Sequence, residues 1–138
     1  MIGHIPTPMR IAAAVLWTAL LAYLMLSPGK ATLAEDLSSA FGGTELTDAM
    51  GHALLALVET VLVFGALRPF IGVQRALVLT CAFVIALGTV LEFAQLWIPF
   101  RGANVLDFAA HCVGVGVGAW GLWAVRRFAV GRYSTPER

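Results

Sequence analysis

Residues 91–118 read LEFAQLWIPFRGANVLDFAAHCVGVGVG, and this stretch decides the fold. Two strongly apolar segments meet at a short turn around Pro99, and polar residues gather on both sides of that turn. Ionisable side chains are costly inside lipid, so those found within spanning segments mark a functional site by default. The stretch therefore predicts a membrane-embedded helical hairpin that carries a polar cluster near its turn.

The composition of the whole chain is that of an integral membrane protein. Hydrophobic residues make up 59% of the 138 residues and charged residues only 12%, whereas about 25% of a typical soluble domain is charged. The net charge is +1 and the basic residues are scattered, so no nucleic-acid partner is expected. The expected partner is the lipid bilayer. Cys81 and Cys112 lie in apolar segments, where we expect packed thiols and no disulfide.

Four segments are long and apolar enough to cross a bilayer, which takes about 20 residues of helix. They cover residues 9–26, 49–67, 75–98 and 105–125. Backbone groups in lipid must be satisfied within each segment, so all four should be helices. The predicted fold class is an all-α, four-helix transmembrane bundle that forms one domain over residues 1–138. The first span lacks a convincing cleavage site, so we expect it to be retained as an anchor.

The distribution of basic residues predicts the orientation of the bundle, because Lys and Arg concentrate on the cytoplasmic side. Four spans place both termini on one side. That side holds Arg10, Arg68, Arg75, Arg126, Arg127, Arg132 and Arg138, and the opposite side holds Lys30 and Arg101. Both termini are therefore predicted to be cytoplasmic, and the loop over residues 27–47 is predicted to lie outside.

The loop between the first two spans should contain a short amphipathic helix. Leu33, Leu37 and Phe41 recur every four residues, with polar residues between them. Such a helix could lie on the outer membrane surface or pack as a lid over the bundle, and the pattern fits both. After it, Thr44 or Thr47 can cap the second span.

Seven polar residues fall at one depth, in the predicted outer half of the bundle. They are Asp48, His52, Glu92, Gln95, Arg101, Asp107 and His111. Glu59 lies two turns below His52, near the middle of the membrane. The seven residues predict a functional site, although an ion pair between Arg101 and a carboxylate could also simply hold the hairpin together.

One chemical interpretation of the cluster is a metal site. Asp48 with His52, and Asp107 with His111, have the i, i+4 spacing that directs two side chains toward one point, and Glu92 could complete the shell.

The other interpretation is acid–base chemistry on a lipid-borne group. His52 would pair with Asp48 or Glu92 as the catalytic residues, and Arg101 would hold a phosphate or carboxylate. The remaining substrate-binding candidates are Gln95, Asp107 and His111. Neither spacing pattern alone decides between the two chemistries.

Glycines in the last span predict close helix packing. Gly114 and Gly118 have the GxxxG spacing that lets helices approach each other, and Gly116 and Gly121 add to it. No strand precedes these glycines, so they are not a dinucleotide-binding loop, and no cofactor is predicted.

The motifs together resemble those of the VanZ-like family. They are Asp48-xxx-His52, Glu92-xx-Gln95, Pro99, Arg101, Asp107 and Gly114-xxx-Gly118, within about residues 26–121. The resemblance implies a small bacterial protein of the cytoplasmic (inner) membrane, from a family named for an accessory determinant of teicoplanin resistance. The family usually has Asn where this chain has His111, so the resemblance implies a hydrogen-bonding role there and disfavours metal ligation.

Three functional hypotheses follow from the sequence. The first is a pocket for an envelope precursor or lipid head group, with a lipid-linked or anionic ligand and a role in antibiotic tolerance. The second is a non-enzymatic assembly subunit that binds a membrane protein partner, and the third is a proton or ion pathway through Glu59.

Overall fold

The computed structural model describes residues 5–28 and 33–131, and every regular element in these ranges is helical. The elements are α1 (Thr7–Leu26), α2 (Leu33–Ala40), α3 (Glu45–Ile71), α4 (Val73–Ala94), a 3₁₀ turn (Gln95–Trp97) and α5 (Val105–Gly131). Four of the helices, all except α2, are long and apolar enough to cross a membrane. The predicted all-α transmembrane bundle is confirmed. Lys30, Arg132 and Arg138, which entered the prediction of orientation, lie outside the described residues.

Helix α3 is the centre of the bundle, because it packs against α1, α4 and α5. Its buried residue Val63 contacts Ala14 of α1, and its Ala56 contacts Val84 of α4 and Val115 of α5. Large apolar side chains remain exposed along the four long helices, as expected for surfaces that face lipid. The chain is a multi-pass membrane protein.

The contact between α3 and α5 depends on two glycines. A Cβ atom at Gly114 would overlap the carbonyl oxygen of Ala53, and one at Gly118 would lie 3.3 Å from the carbonyl oxygen of Leu57. The backbones therefore approach closely at the predicted GxxxG positions. Gly116 and Gly121 were expected to add to this packing, but a Cβ atom at either would meet nothing within 4 Å.

Helix α3 is longer at both ends than the predicted span over residues 49–67. Thr44 caps its start as predicted, because the Thr44 side chain accepts a hydrogen bond from the Thr47 backbone N–H at 3.2 Å. Pro69 was expected to lie beyond the helix but falls inside its last turn. A single residue, Gly72, with φ of 76°, then connects α3 to α4.

Helix α2 lies beside the ends of α1 and α3, in the position of a lid. The Ser38 hydroxyl donates a hydrogen bond to Asp48 Oδ1 of α3 at 2.6 Å. Leu33 and Phe41 remain exposed, so an apolar side of the lid is available to a membrane surface. We refer to the end of the bundle that holds α2 and residues 95–104 as the hairpin end.

Candidate functional site

A cavity of about 430 Å³ opens at the hairpin end, and we call it the hairpin cavity. It is lined by Ser38, Ser39, Gly43, Asp48, Gln95, Phe100, Arg101, Gly102, Asn104 and Asp107. These residues come from α2, the loop between α2 and α3, the first turns of α3 and α5, and the segment between α4 and α5. Four of the seven predicted site residues therefore line one cavity.

The other three predicted residues lie buried in the same cluster but are not part of the cavity lining. They are His52, Glu92 and His111. His52 interacts electrostatically with Glu92 and His111, and also with Arg101 and Asp48 at the cavity. The structure thus brings together all seven residues that the sequence placed at one depth.

The carboxyl groups of Asp48 and Asp107 differ in their surroundings. Asp48 is exposed, and its Oδ1 accepts the hydrogen bond from Ser38. Asp107 is only 8% exposed, and its Oδ1 has no hydrogen-bond partner in the described part of the chain. Asp107 therefore lines the cavity and keeps one buried carboxyl oxygen without a donor among the described residues.

Arg101 and Gln95 bind the carboxyl end of α1. Arg101 Nε donates to the carbonyl of Ser27 at 3.2 Å, and Nη2 donates to the carbonyl of Leu24 at 3.3 Å. Gln95 Nε2 donates to the carbonyl of Met25 at 3.0 Å. The last carbonyls of a helix lack partners within the helix and carry its negative dipole end. The two side chains therefore act as a distant C-cap for α1, which has no basic residue in its own last turn.

This arrangement differs from the ion pair that the sequence left open as an alternative. The hydrogen bonds of the Arg101 guanidinium go to main-chain carbonyls, not to Asp107 or Glu92. Arg101 still lines the cavity and interacts electrostatically with Asp107. It therefore holds α1 in place and also supplies the positive charge of the cavity.

Glu92 is bound to the loop that precedes α5. Its Oε1 accepts a hydrogen bond from the Asn104 backbone N–H at 2.5 Å, whereas its buried Oε2 has no partner among residues 5–28 and 33–131. The Asn104 side chain in turn accepts from the Leu106 N–H at 2.9 Å. The sequence analysis missed Asn104, although an Asn just before an apolar helix is a recognisable N-terminal signal.

His111 is directed into the bundle and packs against α4. Its Nε2 lies 3.0 Å from the carbonyl oxygen of Val84, and the side chain is only 1% exposed. The ring lies against Gly88, where a Cβ atom would overlap it. His111 was predicted to bind substrate, but it does not line the cavity. Gly88, which the sequence analysis also missed, could have been noticed as an isolated glycine within a helix.

His52 lies beside its predicted acid–base partners, but one of its ring nitrogens is left without a bond. His52 Nδ1 is buried and has no hydrogen-bond partner in the described ranges, so no hydrogen bond joins this nitrogen to Asp48 or Glu92. Within those same ranges, no group of three or more His, Cys, Asp or Glu side chains could hold a metal ion. The cluster as it stands offers hydrogen-bonding groups and charge for binding.

Glu59 forms a separate polar site deeper in the bundle. It is fully buried, and its Oε1 accepts a hydrogen bond from the Thr18 hydroxyl of α1 at 2.6 Å. Its Oε2 has no partner in the described part of the chain. Glu59 therefore connects α1 to α3 and does not belong to the hairpin cavity.

Fold and cluster together define an all-α, multi-pass membrane protein with a polar cavity at one end of the bundle. The chain matches no protein-family model, and no curated protein or solved structure is significantly similar to it. The resemblance to the VanZ-like family therefore stays a prediction from the motifs.

Proposed function

We propose that this protein binds, in the hairpin cavity, the head group of a membrane lipid or of a lipid-linked envelope precursor. The observation that carries the proposal is Asp107, which lines an open, polar cavity and whose buried Oδ1 has no hydrogen-bond partner in the described part of the chain. A buried acceptor without a hydrogen bond is costly, so a ligand that supplies the missing donor would be held there.

The position of the cavity favours a ligand that arrives from the bilayer. The cavity lies at the ends of the spanning helices, beside the exposed side chains of Leu96, Trp97 and Phe100. Aromatic side chains such as Trp97 are common at the level of lipid head groups. A lipid can therefore rest its chains on the apolar surface while its head group enters the cavity.

The predicted orientation and the family resemblance suggest where this binding takes place. Both termini are cytoplasmic under the positive-inside rule, so the cavity opens on the outer side of a bacterial inner membrane. Resemblance to the VanZ-like family further suggests a role in the cell envelope and in tolerance of glycopeptide antibiotics. Asp107, Asp48 and Arg101 are the residues that contact the ligand in this proposal.

Native mass spectrometry of the purified protein tests the proposal. We expect the wild type to retain a lipid or envelope precursor and Asp107→Asn to lose most of it. Asp36→Asn is the matched control, because Asp36 is an exposed carboxylate of α2 at the same end of the bundle, lies outside the cavity lining and is not among the charged groups that act on Asp107. The proposal fails if the wild type retains nothing, if Asp107→Asn retains as much ligand as the wild type, or if Asp36→Asn loses as much as Asp107→Asn.

A second candidate function is favoured by the way Arg101 and Gln95 bind the end of α1. Their hydrogen bonds hold the bundle together, as expected if the cluster serves only to stabilise a subunit of a larger membrane complex. Under this hypothesis, Asp107→Asn leaves lipid retention unchanged, and affinity purification of the wild type recovers a partner membrane protein in fixed stoichiometry. Absence of such a partner would contradict it.

A further inference from the structure

We infer that the ligand of the hairpin cavity is recognised as a hydrogen-bond donor, through hydroxyl or ammonium hydrogens on its head group. This inference rests on the proposed function and specifies the chemistry of the ligand. It follows from which polar atoms of the cavity already have partners within the protein and which do not.

Four side chains of the cavity lining already donate hydrogen bonds within the protein. Ser38 donates to Asp48, and Ser39 donates to the carbonyl of Asp36 at 3.1 Å. Gln95 and Arg101 donate to the carboxyl end of α1. A ligand that offered only acceptors would have to compete with these internal hydrogen bonds.

Acceptors, in contrast, are left over. Asp107 Oδ1 and Glu92 Oε2 have no partners in the described part of the chain, and their side chains are only 8% and 7% exposed. Asp107 lines the cavity directly, and Glu92 is bonded to the backbone of Asn104, which also lines it. Two buried carboxyl oxygens, one on a lining residue and one behind the lining, are therefore left without a donor among the described residues.

The formal charges of the cavity also favour a ligand that donates hydrogen bonds. The cavity lining contains two carboxyl groups, Asp48 and Asp107, and one guanidinium, Arg101, with the carboxyl group of Glu92 behind them. Like charges at close range disfavour binding, so a phosphate gains little in this cavity. A neutral polyol or an ammonium group meets no such repulsion. We therefore expect a ligand that donates a hydrogen bond to Asp107, in place of the anionic ligand held by Arg101 that the sequence suggests.

A methylation series of one lipid tests the inference. Phosphatidylethanolamine, its N-methyl and N,N-dimethyl derivatives, and phosphatidylcholine share a phosphodiester and a cationic nitrogen, but lose their N–H donors stepwise. Binding of each lipid, with identical acyl chains, is measured by native mass spectrometry titration. We expect the dissociation constant to rise along the series, by about tenfold or more overall, because a hydrogen bond to a charged group is lost.

Two variants test whether Asp107 is the group that accepts the hydrogen bond from the lipid. Asp107→Asn should flatten the series, because the carboxylate that accepts the hydrogen bond is gone, whereas Asp36→Asn should keep the wild-type slope. A glucosyl diacylglycerol of the same chains separates the two sources of donors. If it binds as tightly as phosphatidylethanolamine, hydroxyl hydrogens suffice; if it binds no better than phosphatidylcholine, the recognised group is the ammonium.

The outcomes also separate this inference from the proposed function. Equal affinity for all lipids of the series, with retention still lost in Asp107→Asn, would overturn donor recognition and leave head-group binding in place. If none of the lipids bound to any variant and the purified wild type carried no ligand, both donor recognition and head-group binding would be refuted. The wild-type series needs no variant, so it is decisive even if Asp107→Asn does not fold.

Discussion

Replacing Arg101 with alanine separates the structural role of this residue from ligand binding. The substitution removes the hydrogen bonds to the carbonyls of Ser27 and Leu24, at 3.2 and 3.3 Å, from the carboxyl end of α1. That end of α1 has no basic residue of its own. We therefore expect α1 to be held less firmly against the rest of the bundle.

The expected loss of stability follows from the two bonds. A hydrogen bond that involves a charged group stabilises by about 1.5–3 kcal/mol. The Arg101 side chain is half-buried, so the lower value applies, and two bonds give a loss of about 3 kcal/mol in the free energy of unfolding. Arg75→Ala is the control, because Arg75 is exposed and such substitutions usually change stability by less than about 0.5 kcal/mol.

Reversible unfolding in mixed dodecylmaltoside and dodecylsulfate micelles, followed by circular dichroism, measures both free energies. The reasoning is refuted if Arg101→Ala loses less than about 1 kcal/mol, since even one such hydrogen bond should exceed that value. A variant that kept its stability but lost bound lipid would show that the guanidinium acts on the ligand and not on α1.

Three further predictions concern helix packing and capping, and the same unfolding assay measures each. Gly114→Ala should cost about 1–3 kcal/mol, because the added methyl group meets the backbone of α3, whereas Gly116→Ala should not destabilise; equal stabilities would contradict the close contact. Gly88→Ala should destabilise by a similar amount, because the added methyl group meets the His111 ring. In the double variant with His111→Asn, the smaller side chain should recover part of the lost stability; additive losses would show that the two positions do not contact each other. Thr44→Ala should cost about 1 kcal/mol through loss of the α3 cap, and an unchanged free energy would argue against that cap.

The sequence predicted that the seven polar residues lie close together, but it did not predict their hydrogen bonds. Ionisable residues within apolar spans are conspicuous, so Asp48, Glu92 and Asp107 could be identified by position alone. The partners of Arg101 and Gln95 are main-chain carbonyls more than 65 residues earlier in the chain. Every residue has such a carbonyl, so no pattern of residue types indicates which ones a distant side chain will reach.

The four spans, the all-α fold and the close packing at Gly114 and Gly118 were determined by the sequence itself. These features depend on the length, hydropathy and residue size of each segment, because each helix must span the lipid by itself and small residues allow close helix contact. Tertiary structure decided that His111 packs against Gly88, that Arg101 holds α1, and that Asp107 Oδ1 is left without a partner among the described residues. These outcomes depend on how the helices rotate and cross, because rotation of a helix about its axis changes which side chains face a neighbour while leaving the hydropathy of the span unchanged.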